Sequence, residues 1–192
     1  MSHADIAAEV ELALREHFGQ VPTRASVSFL GVEPIEVLRF EPIPDEVAYL
    51  SLGMCRHPMT AAAETVRSAE GPRAELMLHV RDPDARFVGA WRQLAVLAAA
   101  PAVEGVVYRP RMTVDLGQPI AAGSRCSGGL IGESTVPPVT TPAGTVDTLL
   151  VQPATATELA WCRVHGAAEL LQRWAEQGTD LLDLGRRAAD LG

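Results

Sequence analysis

The sequence predicts an α+β fold, a mixed and largely antiparallel β-sheet flanked by helices. Three observations carry the prediction. Short runs of β-branched and aromatic residues succeed one another between residues 27 and 52, separated by Gly31, Pro34, Pro42 and Pro44. Ala74–Val80 alternates apolar and polar side chains, as a strand with one buried face does. Apolar residues recur at helical spacing near both ends of the chain. Strands in succession, then a helix, then strands again favour such a sheet over strict βαβ alternation.

The first helix is expected over residues 3–18. Ser2 with Asp5 resembles a capping box, Ile6, Val10, Ala13 and Leu14 form the stripe, and Gly19 supplies the stop. Val27–Leu30, Ile35–Phe40 and Val47–Leu52 read as strands. Residues 55–73, with Pro58, an Ala-rich patch and Gly71-Pro72, read as an irregular crossover with a helical turn. In the strand over Ala74–Val80, Ala74, Leu76, Leu78 and Val80 face the core while Glu75, Met77 and His79 face outward. Asp82-Pro83 is expected to cap a second helix carrying Phe87, Trp91, Leu94, Ala95 and Ala98, with Pro101 as its end. Val106–Tyr108, Met112–Leu116, Leu130-Ile131 and Thr148–Val151 read as further strands, and the Gly-rich segment 117–132 as either a mobile loop or an ordered crossover. Thr155-x-x-Glu158 opens the last helix, whose stripe runs Leu159, Cys162, Gly166, Ala167, Leu170, Leu171 and Trp174 to a stop at Gly178. Leu181–Leu191 reads as a short helix or a tucked tail. No repeat or linker divides the chain, so residues 1–192 are expected to form a single domain.

Composition narrows the function. A chain of 192 residues with 47% hydrophobic and 21% charged residues can bury a sizeable core. Met1–Gln20 lacks the basic start and apolar centre of a secretory signal, and no apolar run is long enough to span a bilayer, so a cytoplasmic location is expected. Three widely spaced cysteines, Cys55, Cys126 and Cys162, suit a reducing compartment and not a disulfide framework. The formal net charge of −8 disfavours nucleic acid and acidic membranes and would attract a basic partner, though the same charge is common among soluble proteins with no charged partner. All 16 basic residues are arginine, which fits a GC-rich bacterial genome.

Chemistry-bearing patterns are weak. Cys55 with His57 and Cys162 with His165 could supply four zinc ligands, but neither has C-x-x-C or H-x-x-x-H spacing, and Cys162 belongs to an apolar stripe. Cys55 with His57, His79 or His165 as base could be drawn as a nucleophile pair without any local elbow motif. Gly128-x-x-x-Gly132 cannot belong to a Walker loop in a chain without lysine. Glu41, Asp45 and Glu46 read as a solvated turn before they read as an acid/base pair. No metal, cofactor or catalytic residue is therefore expected. Arg56 and His57, on a loop with Met54 and Pro58, and Trp161, off the stripe of its helix, are the candidates for touching a partner. Loop closure and core packing are their alternative roles.

Several stretches together resemble the Suppressor of fused family, in particular its bacterial stand-alone domains. They are Tyr49–Met54 with Arg56-His57-Pro58-Met59, residues 73–78 (Arg-Ala-Glu-Leu-Met-Leu), residues 91–95 (Trp-Arg-Gln-Leu-Ala), and residues 116–120 (Leu-Gly-Gln-Pro-Ile). Residues 151–154 (Val-Gln-Pro-Ala), 157–162 (Thr-Glu-Leu-Ala-Trp-Cys) and 165–171 (His-Gly-Ala-Ala-Glu-Leu-Leu) continue the likeness. The resemblance implies a mixed sheet flanked by helices, a Suppressor-of-fused-like sandwich, and no enzymatic chemistry. The animal member sequesters a transcription factor by strand addition between two domains. This chain is too short for both, so the animal signalling role is not carried over. Bacterial domains of the family resemble immunity proteins, which implies a basic, toxin-like protein partner. The leading expectation is thus a non-enzymatic protein-binding domain of immunity type. A small metal- or cysteine-dependent hydrolase and a structural homo-oligomer subunit are the alternatives.

Overall fold

Strands that carry apolar side chains on both faces need a layer on each side, and this requirement sets the architecture. The computed structural model describes residues 3–64 and 70–192. In chain order the elements are α1 (His3–Phe18), β1 (Thr23–Phe29), β2 (Val32–Phe40), β3 (Glu46–Leu52), a 3₁₀ turn (Met54–Arg56), β4 (Arg73–Arg81) and α2 (Ala90–Glu104). There follow β5 (Thr113–Asp115), β6 (Cys126–Glu133), β7 (Val139–Thr141), β8 (Gly144–Thr155), α3 (Ala156–His165) and α4 (Ala167–Glu176). The strands form one sheet in the order β1-β2-β3-β4-β8-β6-β5, with β7 also paired to β8. Every pairing is antiparallel except β4 with β8, where Arg73 to Met77 lie beside Val146 to Leu150. The mixed, largely antiparallel sheet is as expected.

Side-chain parity assigns the layers. Ala74, Leu76, Leu78 and Val80 of β4 pack with Val47 and Tyr49 of β3 and Val151 of β8 beneath α2. Met77 points the other way and joins Leu38, Phe40 and Leu50 beneath α1. On that same second face, Leu130 and Ala154 meet Leu159, Leu170 and Trp174 of α3 and α4. β4 is therefore buried on both faces, and the half-exposed strand read from its alternation is corrected. On its second face Glu75 has no exposed surface at all, and His79 is only partly exposed beside Glu46. Among the described residues no helix is long and apolar enough to cross a membrane.

Other boundaries differ for identifiable reasons. Asp82 accepts hydrogen bonds from the amides of Arg86 (2.8 Å) and Phe87 (3.2 Å), which closes a loop, and α2 starts only at Ala90. Pro101 lies inside α2 instead of ending it. Proline has no N–H for the Leu97 carbonyl one turn back. The Tyr108 hydroxyl takes that place, donating to Leu97 O at 2.7 Å. Val106 and Val107 pack against the α2-side core beside it, so residues 106–108 form no strand. Burial raises the Tyr108 hydroxyl above its ordinary pKa, with Glu104 adding to the effect. β7 escapes the sequence because it is three residues long and follows two prolines. The expected last helix is two helices, broken at Gly166 with φ 92° and ψ 161°, a conformation that suits glycine. The Gly-rich segment is an ordered crossover leading into β6. A Cβ on Gly128 would lie 2.1 Å from the Val114 carbonyl oxygen, so only glycine lets β5 approach here. Ser2 and the Asp5 side chain of the expected capping box, and residues 65–69 of the expected crossover, lie outside what is described.

The Thr155–Glu158 capping box is present, and its carboxylate does more than cap. Glu158 is fully buried and pairs with Arg186 of the tail through Nη1 to Oε1 (2.7 Å) and Nη2 to Oε2 (3.0 Å). It also accepts from Trp174 Nε1 (2.9 Å) and the Ala189 amide (3.0 Å). Leu181–Leu191 is thus a tucked tail, and Arg186 within it is buried. Burial pushes the Glu158 carboxyl up, but Arg186, the Ala189 and Thr155 amides and Trp174 outweigh it and hold it below its ordinary value of 4.5.

Two expectations follow. Tyr108→Phe orphans the Leu97 carbonyl and is expected to cost about 1–3 kcal/mol in urea denaturation. Adding Pro101→Ala restores an N–H and recovers part of that loss. Because the Glu158 pKa is lower folded than unfolded, its contribution is full well above pH 4.5 and is lost as pH falls below it. Glu158→Gln leaves Arg186 unpaired, so it is expected to lower stability at pH 7 by about 3–5 kcal/mol and to flatten the acid limb of stability against pH. Unchanged urea midpoints at both pH 7 and acid pH would contradict this role.

Candidate binding surface

The Arg56–His57 loop is built from buried charges beneath it. Gly53 (φ 129°) turns the chain out of β3, and a Cβ there would lie 2.6 Å from Arg56 Nη1. Glu75 of β4 accepts the amides of Gly53 (2.7 Å) and Cys55 (3.0 Å) through Oε1 and the Ser51 hydroxyl through Oε2. Arg73, two residues earlier on the same strand, donates Nη1 to the carbonyls of Cys55 and Arg56, each at 2.8 Å. One carboxylate thus gathers the amides of the turn and one guanidinium gathers its carbonyls.

Arg56 turns inward. Its Nη1 donates to Pro34 O at 2.7 Å, and its Nε lies 3.4 Å from Glu33. His57 is about half exposed and sits 3.5 Å from the other oxygen of Glu33. Beside them opens a groove of about 290 Å³. Ile35, Met54 and Ala98 form its floor, and the last turn of α2 forms one wall. Glu33, Glu64 and Glu104 stand at its sides with His57.

Trp161 occupies a different place. It lies on α3, partly buried against α4, and stacks on His165 with ring centroids 4.2 Å apart and planes 20° from parallel. α3 packs on β5, β6 and β8, whereas the Arg56 turn packs on β4, α1 and α2. Since β3 and β6 are three strand positions apart, the fold does not bring Trp161 together with Arg56 and His57. Trp91 is partly buried with Arg92 over its ring at 4.9 Å, and Trp174 is buried.

The catalytic and metal patterns are also dispersed. Cys55 is buried beneath α1, and Cys162 beside Leu159 and Trp174, so the two Cys–His pairs do not meet. Among the described residues no three His, Cys, Asp or Glu side chains are placed to share a metal ion. Burial first, and Glu75 second, raise the Cys55 thiol far above its ordinary pKa, which opposes the thiolate a nucleophile needs. Burial pushes the Cys126 thiol up to about 11. Glu46 is not in a solvated turn. It is mostly buried on β3, 2.9 Å from His79 Nε2, which is off the line of a hydrogen bond, and 3.3 Å from Arg81.

The chain is thus an α+β domain whose one mixed sheet carries helices on both faces, with the clamped turn bordering an open groove. The sequence model of the Suppressor of fused protein (SUFU) matches residues 31–187, and the chain belongs to that family. A SUFU homologue from Neisseria gonorrhoeae has the same fold, with a TM-score of 0.69 at 19% identity over 96% of this chain and 97% of that one. The Sufu–Fu complex matches with a TM-score of 0.69 at 13% identity, covering 95% of this chain and 91% of that one. Drosophila Suppressor of Fused matches with 0.65 at 14% identity over 96% of this chain, which spans 50% of it. At these identities the likeness is one of fold. No curated protein sequence is significantly similar to the chain.

The clamp on the turn makes its own prediction. Glu75→Gln keeps the shape but replaces one accepting oxygen with a donor facing donors. It is expected to cost about 2–3 kcal/mol in urea denaturation and to speed hydrogen exchange at the Gly53 and Cys55 amides. Exchange unchanged at those two amides would show that the carboxylate does not hold the turn.

Proposed function

We propose that residues 1–192 act as one Suppressor-of-fused-like domain that binds another protein and performs no catalysis. In its most specific form this is an immunity-type protein that sequesters a basic, toxin-like partner in the cytoplasm. Membership of the Suppressor of fused family carries the reading, and Sufu in complex with Fu is an example of such binding within the family. The net charge of −8 supports a basic partner, since complementary charge speeds encounter and discriminates against acidic competitors. The inert environment of Cys55 supports a non-catalytic role. Two surfaces suit a partner. One is the acidic groove beside His57. The other is β1, which has a pairing partner on one side only, so the edge over residues 23–27, before the bulge between Val27 and Phe29, could receive an added strand.

The reading is tested by capturing partners of the tagged protein from lysate of its source organism, at about 50 and 300 mM salt, where screening differs strongly. A single stoichiometric protein, basic and lost at the higher salt, is the expected result. Recovery of the domain alone as a stable oligomer would instead favour a structural subunit.

A further inference from the structure

The groove beside α2 combines three features that select one kind of occupant. Apolar side chains line it, among them Val32 from the start of β2 and Ala102 and Val103 from the end of α2. Val103 remains 59% exposed although it borders a buried floor, so among the described residues this surface is left uncovered. Its charge is negative. Glu33 is engaged by Arg56 and His57, whereas among the described residues no ion pair engages Glu64 or Glu104.

The third feature is the helix end itself. The last four residues of α2, Pro101 to Glu104, all line the groove, and their carbonyls have no acceptor role inside the helix. A helix C-terminus carries partial negative charge and is stabilised by basic residues in its last turn. α2 has no basic residue there and ends on Glu104 instead. That charge placement is unfavourable for the helix alone, and a cation brought from outside would relieve it.

Resting on the reading of the chain as a protein-binding domain, we infer that this groove receives an arginine side chain from a basic segment of the partner protein. Its aliphatic stem lies along Val32, Ala102 and Val103, and its guanidinium reaches Glu64, Glu104 and the final carbonyls of α2. A guanidinium suits the place because it presents a planar fork of donors on an apolar stem. A volume of about 290 Å³ is enough for one long side chain with its neighbour and small for a cofactor.

The probe is a fluorescein-labelled peptide in which one arginine is flanked by leucines. A second peptide carries citrulline in place of arginine, with the same size and no charge. Polarisation titrations compare the wild-type protein with the Glu64→Gln/Glu104→Gln variant and with Glu16→Gln/Glu169→Gln, which removes the same charge elsewhere. The groove is supported if Glu64→Gln/Glu104→Gln and citrulline each weaken binding by about tenfold while Glu16→Gln/Glu169→Gln changes it less than about twofold. Equal losses in the two variants, or no loss in either, overturn it. Capture of the natural partner separates the two levels of the proposal. A partner held equally by wild type and by Glu64→Gln/Glu104→Gln overturns the groove and leaves protein binding standing. No partner for either protein overturns the reading on which the groove rests.

Discussion

Arg73 to Met77 of β4 run beside Val146 to Leu150 of β8 in the same direction, and the two halves of the molecule are joined at this seam. On one side of it lies the antiparallel run β1 to β4, and on the other β8, β6 and β5. A parallel neighbour cannot be reached by a tight turn, so the long path through α2, β5, β6 and β7 is required before β8 can take its place. The same seam obliges β4 to be covered on both faces, with α2 on one and α1 on the other. Beyond Met77 the pairing ends, and the tail enters the space, with the Arg81 amide donating to the Leu182 carbonyl at 2.8 Å.

Buried ions occupy the two places where irregular chain must be held against this sheet. Glu75 and Arg73 secure the turn after β3, and Glu158 and Arg186 secure the tail against α3 and α4. Desolvating such groups is costly, and a charge buried without partners would destabilise the fold. Here each carboxylate accepts from several donors, so the cost is offset and the geometry becomes directional. The groove is positioned by the first of these clamps, because Met54 and His57 border it and both belong to the clamped turn.

Much of the architecture was legible in the residues. The extent of α1, the end of β2, β3 to within one residue and the capping box at Thr155 follow from local patterns that tertiary contacts did not override, whereas β2 starts earlier, at Val32, and takes in Pro34. The candidate surface was legible only in part. Arg56 and His57 were placed on a loop by the residues around them, but Glu33, Glu64 and Glu104 come from three separated segments and no spacing connects them. Nor could the sequence indicate that Arg56 spends its guanidinium on Pro34 O and Glu33. Trp161 was correctly placed off its stripe, yet its distance from the Arg56 loop is a matter of strand order. The stretches that resemble the Suppressor of fused family include Arg73, Glu75 and Glu158, so the family likeness is carried by residues that brace irregular chain.

The amino-acid sequence by itself determined α1, most of the long strands, the capping box that opens α3, the α+β class and the family likeness, because caps, glycines and apolar periodicity act over a few residues. Only the tertiary structure decided that β4 is covered on both faces, that Pro101 sits inside a helix, and that the end of α2 is left acidic beside an open groove. Those outcomes depend on partners distant in the chain: α1 across the sheet from α2, a tyrosine hydroxyl replacing a missing amide, and glutamates gathered from three elements. Hydrogen bonding and burial at such range are settled by packing, and packing has no local signature.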